Sequence, residues 1–371
     1  MFHVKHPARL LVVALALLAV VGVGCTGVSK PKGWSAPVDG GDGIVLMHDQ
    51  RGTISAVRLT DSGSAVLWTF PGDKDKEPSY KSFYATPIVD RSGPEPRVIV
   101  VSYSGHVISL KLKDGTRTDG WPAKVEVKGS VVATPALVNG ILYVASEHRI
   151  VPVNAVTGVV SAPILKTSDK IWAAPVFVDG TLYVASLDGK VHAISPDGTE
   201  RWQHDLGGAI AGDIAVDAGV VYAGTLKSEL VALDAATGEE RWAFEGADWF
   251  WARPLIVNKD TIVVSTTLGT VYAIDRATGE QKWQRKAAAG DVHTTPALVG
   301  TALVIADSKG NVYGLDATTG DIAWRQQQAG EQFFADPLVL ESGIFYLSED
   351  GTLVRVRPQE QGALSVVYQR G

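Results

Sequence analysis

Cysteine occurs once in the 371 residues and methionine twice. One cysteine excludes any internal disulfide and any metal site built from several thiolates, so an exported fold of this chain is held by packing alone. Lysine and arginine form no block: 34 basic and 40 acidic residues are interspersed, for a formal net charge of -6. A surface that tracks nucleic-acid phosphates needs clustered cations, and that class is set aside. The eight histidines are scattered, with no pair at metal-ligand spacing, and no Gly-x-Ser-x-Gly nucleophile turn occurs. Glycine (39) and proline (18) exceed average use only modestly, which excludes collagen-like and disordered chains. After the N-terminal segment no stretch sustains a helical period over about 12 residues.

The position of the sole cysteine carries information. Lys5 and Arg9 precede an apolar run from Leu10 to Val23, and Cys25 follows in VGVGC. The run is short for a membrane-spanning helix of about 20 residues and reads as a secretory signal. The junction resembles the lipobox of bacterial lipoproteins, good at Gly24 and Cys25, with Gly22 where a large aliphatic residue is usual. The resemblance implies residues 1–24 as signal peptide, a lipidated Cys25 and a linker over 25–33, and hence an exported chain anchored to a bacterial membrane and facing periplasm or cell exterior. An uncleaved signal anchor is the alternative. Cleavage removes Lys5 and Arg9 and leaves a charge of 32 - 40 = -8.

The remainder repeats. ALDAATGEERW (232–242), AIDRATGEQKW (273–283) and GLDATTGDIAW (314–324) stand 41 residues apart. A second marker precedes each motif: Pro37, Pro87, Pro135, Pro175, Pro254, Pro296 and Pro337, with Asp213 taking the position in the degenerate IAGDIAVDAG. Eight units of about 40 residues therefore fill 34–371. Each reads as four short strands; in the sixth they are RPLIV, TIVVST, TVYAID and QKWQR, broken by Asn, Asp and Gly. Four antiparallel strands per unit predict an all-β chain, an eight-bladed β-propeller, with seven blades as the alternative closure.

Within the motif the Asp ends the third strand, where its carboxylate can accept N–H bonds across the turn. The Gly supplies the left-handed residue of a tight hairpin. The Trp lies on the fourth strand and is expected to pack on the neighbouring blade; burying it is worth at most about 5 kcal/mol. Trp68, Trp121, Trp202 and Tyr368 take the same place in units one, two, four and eight, and Ile164 and Leu165 replace it in unit three.

These residues resemble the eight-bladed propellers with PQQ-type repeats, whose signature is Ala-x-Asp-x-x-Thr-Gly-x-x-x-Trp. Units five and six match it fully and unit seven departs at Gly314. The resemblance spans 34–371 and implies the fold; it does not fix an activity. One branch of the family comprises quinoprotein dehydrogenases that hold PQQ and Ca²⁺. The other comprises non-catalytic propellers, including the BamB-like lipoproteins of outer-membrane protein assembly. Dehydrogenases of this kind are longer, and many carry a pair of adjacent cysteines. Here the units are near minimal, and the largest inserts, Pro71 to Ser82 and Asp90 to Arg97, mix Lys or Arg with their carboxylates. The expectation is therefore no catalytic residue, no metal and no cofactor, and a scaffold that binds a protein partner. A propeller that senses a small molecule or binds carbohydrate is the second reading, and a PQQ-dependent dehydrogenase the third. His148 and His192, on or beside strands, read as structural.

One pattern exceeds packing. Three residues before the marker stand Trp34, Tyr84, Val132, Trp172, Ile210, Trp251, His293 and Phe334, and directly before it Arg253 and Asp336 replace small residues. Equivalent positions in a propeller form a ring, so Trp34, Tyr84, Trp172, Trp251, Arg253, His293, Phe334 and Asp336 are the candidate partner- or ligand-binding residues, at one mouth of the channel. Trp and Arg dominate interface hot spots. The competing expectation is that these side chains only pack blades together.

Overall fold

The computed structural model describes residues 35–48, 52–60, 63–72 and 82–369. The signal segment, Cys25, the linker and Trp34 lie outside the described residues, as do 73–81 of the first insert.

Strands follow one another in sequence order within every sheet, all antiparallel, and no sheet borrows a strand from a distant part of the chain. Eight such sheets form the blades. Blade six shows the repeat in its regular form: Leu255–Asn258, Thr261–Ser265, Thr270–Asp275 and Gln281–Lys286. The two middle strands are buried on both faces, and successive side chains alternate between the two neighbouring blades. In blade three, Leu142 and Val144 pack toward blade two, whereas Tyr143 and Ala145 pack toward blade four. This alternation divides the core into eight apolar clusters, one between each pair of adjacent blades. The last cluster closes the ring: Val45, Met47 and Val57 of blade one meet Phe345, Leu347, Leu353 and Val367 of blade eight. Eight clusters for eight seams settle the number of blades and exclude the seven-bladed alternative.

The repeated turn behaves as its chemistry requires. Asp234 Oδ1 accepts the N–H groups of Ala236 and Thr237, and Asp275 and Asp316 do the same in the next two blades. Gly238, Gly279 and Gly320 have φ near +75°. They also face the tryptophan of the preceding blade: a Cβ on Gly238 would lie 2.5 Å from the Trp202 indole, and one on Gly279 2.8 Å from that of Trp242. Each indole Nε1 completes the contact by donating to the carbonyl three residues before that glycine, Trp202 to Ala235 at 3.0 Å and Trp242 to Arg276 at 2.9 Å. Trp and Gly are thus two halves of one joint between blades.

Two units depart from the regular form. Blade two has three strands, Ile88–Asp90, Arg97–Val101 and Val107–Lys111, and its outer edge is covered only by the bridges Leu110–Arg117 and His106–Glu126. Trp121 is buried against blade three, but Pro122 follows it, and Gly158 of the next turn meets Pro122 and Val125 rather than the indole. Its Nε1 finds no partner, so the joint of the other blades is not formed there. In blade three Pro163 leaves an outer strand of two residues, Leu165–Lys166. A proline has no N–H for the ladder, which accounts for both shortened edges.

Candidate functional site

The connectors that bring the chain from one blade to the next share a face with the turns between second and third strands. Their backbones are joined: Ile171 N–H donates to Glu147 O at 2.6 Å, Thr267 N–H to Trp249 O at 2.8 Å and Ser308 N–H to Asp291 O at 2.8 Å. Along each connector burial alternates. Four residues before the marker stand Phe83, Val131, Ile171, Ile210, Phe250, Val292 and Phe333, all at most 1% exposed. These are the residues that pack the blades, and they correct the register of unit five. Ile210 belongs to this buried set, and the position at the mouth is held by Ala211. The strand Ala215–Asp217 and its turn at Ala218 and Gly219 match Val176–Val178 with Asp179 and Gly180. Ile214 therefore takes the marker position, and Asp213 stands directly before it, equivalent to Arg253 and Asp336. The degenerate unit is legible when aligned on the glycine turn rather than on the missing proline.

With that register, three residues before the marker the described ring reads Tyr84, Val132, Trp172, Ala211, Trp251, His293 and Phe334. Four of these form a continuous aromatic arc. Trp172 and Trp251 are 6.2 Å apart between ring centroids, Trp251 and His293 5.4 Å, and His293 and Phe334 5.7 Å. The small Ala211 lets Trp172 and Trp251 meet across blade five. All four are half-buried. Such pairs contribute roughly 0.5–1.5 kcal/mol each beyond area burial. Tyr84 lies apart, beside Tyr103 at 5.4 Å, and is 4% exposed. Burial, reinforced by Tyr103, pushes its hydroxyl up to about 12. Tyr84 belongs to the packed wall rather than to the open arc.

Burial pulls the His293 pKa below its ordinary value, against the opposing charge of Asp291, and its Nδ1 is buried without a partner. Burial thus favours the neutral imidazole, which serves the arc as a ring.

The residues directly before the marker form a polar belt inside the arc: Ala36, Thr86, Thr134, Ala174, Asp213, Arg253, Thr295 and Asp336. Backbone N–H groups donate to the side chain of the next blade. Ala36 reaches Thr86 Oγ1 at 3.2 Å, Thr86 reaches Thr134 Oγ1 at 2.9 Å, and Ala174 and Thr295 reach Asp213 and Asp336 Oδ1, each at 2.6 Å. Thr295 Oγ1 adds a bond to Asp336 Oδ2 at 2.8 Å. The two acids are thus fixed by their neighbours. Removal from water raises the Asp213 pKa to about 6; the Ala174 N–H opposes this, the Asp336 charge adds to it, and Arg253 offsets part. Arg253 is exposed, and among the described residues no carboxylate forms an ion pair with it. In DWFWARP, Phe250 and Ala252 are buried while Trp251 and Arg253 emerge on the other side. The segment is a connector, and the strand begins only at Leu255.

The arrangement suits holding a partner: an aromatic ledge with one open cation, above a belt whose acids are already hydrogen-bonded. Among the described residues no group of three or more His, Cys, Asp or Glu is placed to hold a metal ion.

Comparison with known proteins agrees with this architecture. The family model described as outer membrane protein assembly factor BamB matches residues 161–268 and 187–363. The outer membrane protein assembly factor BamB of Burkholderia pseudomallei is 29% identical over 133 residues, 33% of this chain and 32% of that protein. A shorter stretch of 97 residues is 35% identical to a quinohemoprotein alcohol dehydrogenase of Comamonas testosteroni, covering 22% of this chain and 14% of the enzyme. The matches span about a third of the length of the curated BamB relatives. Among solved structures, BamB from Moraxella catarrhalis superposes with a TM-score of 0.67 at 20% identity, over 89% of this chain and 94% of that one, a likeness of fold. With its repeats, its ring of eight blades and a family match that runs from the end of blade three into blade eight, the chain belongs to the PQQ-repeat propeller family described as outer membrane protein assembly factor BamB.

Proposed function

We propose that this chain is a non-catalytic, exported scaffold, tethered to a bacterial membrane through lipidated Cys25, that holds a protein partner at the arc mouth in outer-membrane protein assembly. The arc Trp172–Trp251–His293–Phe334 with open Arg253 carries the reading. Half-buried aromatic side chains beside an exposed arginine that forms no ion pair among the described residues match the composition of binding hot spots. Family membership supplies the context of assembly. The likeness to a quinoprotein dehydrogenase is confined to 97 residues, and the single cysteine cannot supply an adjacent pair.

The test is capture of partners by the native protein from membranes. An outer-membrane barrel protein should co-purify, and Trp251→Ala with Arg253→Ala should weaken its capture at least tenfold, about 1.4 kcal/mol, with little change in thermal stability. Capture retained beside a large loss of stability would reduce the arc to packing. Stoichiometric PQQ binding with dye-linked oxidation of alcohols or aldoses would replace the scaffold by an enzyme. Mass spectrometry of the membrane-extracted protein should find a diacylglycerol-modified Cys25 at the N-terminus; an intact Met1 would mean a signal anchor instead.

A further inference from the structure

The outer strands of blades four to seven carry charge: ERWQHD at Glu200–Asp205, ERWAFE at Glu240–Glu245, QKWQRK at Gln281–Lys286 and IAWRQQ at Ile322–Gln327. Those of blades one and eight carry none: GSAVLWTF at Gly63–Phe70 and ALSVVY at Ala363–Tyr368. These two uncharged strands are neighbours across the closing seam. Val66, Leu67 and Val366 on them are 49%, 40% and 42% exposed. An outer strand presents a row of N–H and C=O groups along its free edge, and charge is a usual device that keeps another strand from adding there.

The regular blades show what is missing. In each, one residue of the outer strand bulges out of the ladder. In blades four, five and six that residue is Arg201, Arg241 or Lys282. Its cation folds back onto the turn between first and second strands, to Gly180 O at 3.0 Å, Gly219 O at 3.3 Å and Asp260 O at 2.6 Å. In blade one the bulged residue is Leu67, which can make no such bond; Ala323 of blade seven makes none either, but Arg325 keeps a charge on that strand, whereas Gly63–Phe70 has none.

Among the described residues no strand pairs with the outer edge of Gly63–Phe70, and we propose that it is a docking edge for an extended, uncharged segment of another polypeptide, which adds to blade one as a fifth strand. Main-chain hydrogen bonds would supply the attachment, and Val66, Leu67 and the adjoining Val366 the apolar contact. The segment must be uncharged where it meets them, because neither strand offers a counter-charge to an ion stripped of water. A second copy of the chain fits less well. The Leu67 bulge lies near the middle of the strand, so a two-fold antiparallel pairing would set bulge against bulge and interrupt the ladder. The site is on the rim of the ring, separate from the arc mouth.

The probe is a ten-residue peptide of alternating valine and threonine, blocked at both ends and carrying a short polyethylene glycol tail, added to the full-length protein. Hydrogen exchange should slow at least tenfold at alternate amides of residues 63–70. Val66→Glu with Leu67→Arg copies the residues of Glu240 and Arg241, which blade five tolerates at the same places; this variant should melt like the parent and lose the protection. Val366→Glu, on the adjoining strand, should weaken it severalfold and serves if the double variant fails to fold. Trp251→Ala with Arg253→Ala should leave the protection intact, so failure at the rim and failure at the arc are separable. Absence of protection in the parent, equal protection in the charged variants, or a dimer whose 63–70 amides are protected without peptide would each overturn the proposal.

Discussion

Gly238 and Trp202 belong to different blades, yet each explains the other. The glycine has φ of +74°, and its bare Cα rests on the indole. Gly238→Ala should cost at least about 2 kcal/mol, from the left-handed backbone and from the clash together. Trp202→Ala should cost about 3–5 kcal/mol. The double variant removes the clash along with the ring, so its loss in urea melts should fall short of the sum by about 1 kcal/mol or more. Strict additivity would mean that the joint is not a joint. Trp242 is 8% exposed whereas Trp283 and Trp324 are half-buried, so Trp242→Ala should be the most damaging of the three equivalent substitutions. Asp213 offers a pH test. Its folded pKa of about 6 lies above the ordinary 3.8, so the folded state holds a proton that the unfolded state releases. Stability is greatest on this account below pH 4 and is lost as pH rises through 6. Asp213→Asn keeps an acceptor for the Ala174 N–H and removes the charge. It should stabilise the protein at pH 7 by less than about 3 kcal/mol and flatten the dependence between pH 4 and 6; an unchanged slope in that window would place the titration elsewhere.

Connectors carry both the residues that pack the blades and those of the proposed binding arc, and one glycine is decisive there. A Cβ on Gly212 would lie 1.6 Å from the Trp251 carbonyl oxygen. Gly212→Ala should therefore push the blade-six connector away, lower the thermal melt sharply and shift the tryptophan fluorescence of the arc; a melt within a degree of the parent would contradict the observed proximity. Much at this scale was legible in the sequence. The strands of blade six fall where the breaks at Asn, Asp and Gly put them, because a period of two and a glycine turn are local properties. The position of Ile210 was not legible by counting back from Asp213, since proline is only one way to satisfy the marker position and Ile214 satisfies it by burial. The outer edge of blade two departs from the four-strand pattern for a related reason. Trp121 has the right residue type, but Pro122 removes a ladder bond and takes the indole's place against Gly158, so both the strand and the joint are lost. Six of the candidate site residues come together in the open arc and belt: Trp172, Trp251, Arg253, His293, Phe334 and Asp336. Asp336 is already held by Thr295. Tyr84 parted from them because contact with Tyr103 depends on the facing turn, which no repeat position specifies.

At the scale of the whole molecule, each blade is one contiguous stretch of chain, so no strand is shared between blade eight and blade one, and among the described residues side-chain packing joins them. A linear array of repeats contacts only its neighbours and can fray from its ends. Closure turns both ends into interior blades, and the cluster of Val45, Met47 and Val57 with Phe345, Leu347, Leu353 and Val367 is the means. Phe345 is fully buried in that seam, and Phe345→Ala should cost about 3–5 kcal/mol. The form of the loss distinguishes two kinds of ring. If closure makes the eight blades cooperative, the variant will unfold in one transition at lower urea, and amides of blades one, four and eight will exchange through the same opening. If the seam opens by itself, amides of blades one and eight will exchange early while those of blade four keep the parent's protection. We expect the first outcome. The seam buries large side chains as fully as the other seven do, and every other blade is already held from both sides, so opening one seam frees only two faces while leaving all other contacts strained against a broken ring.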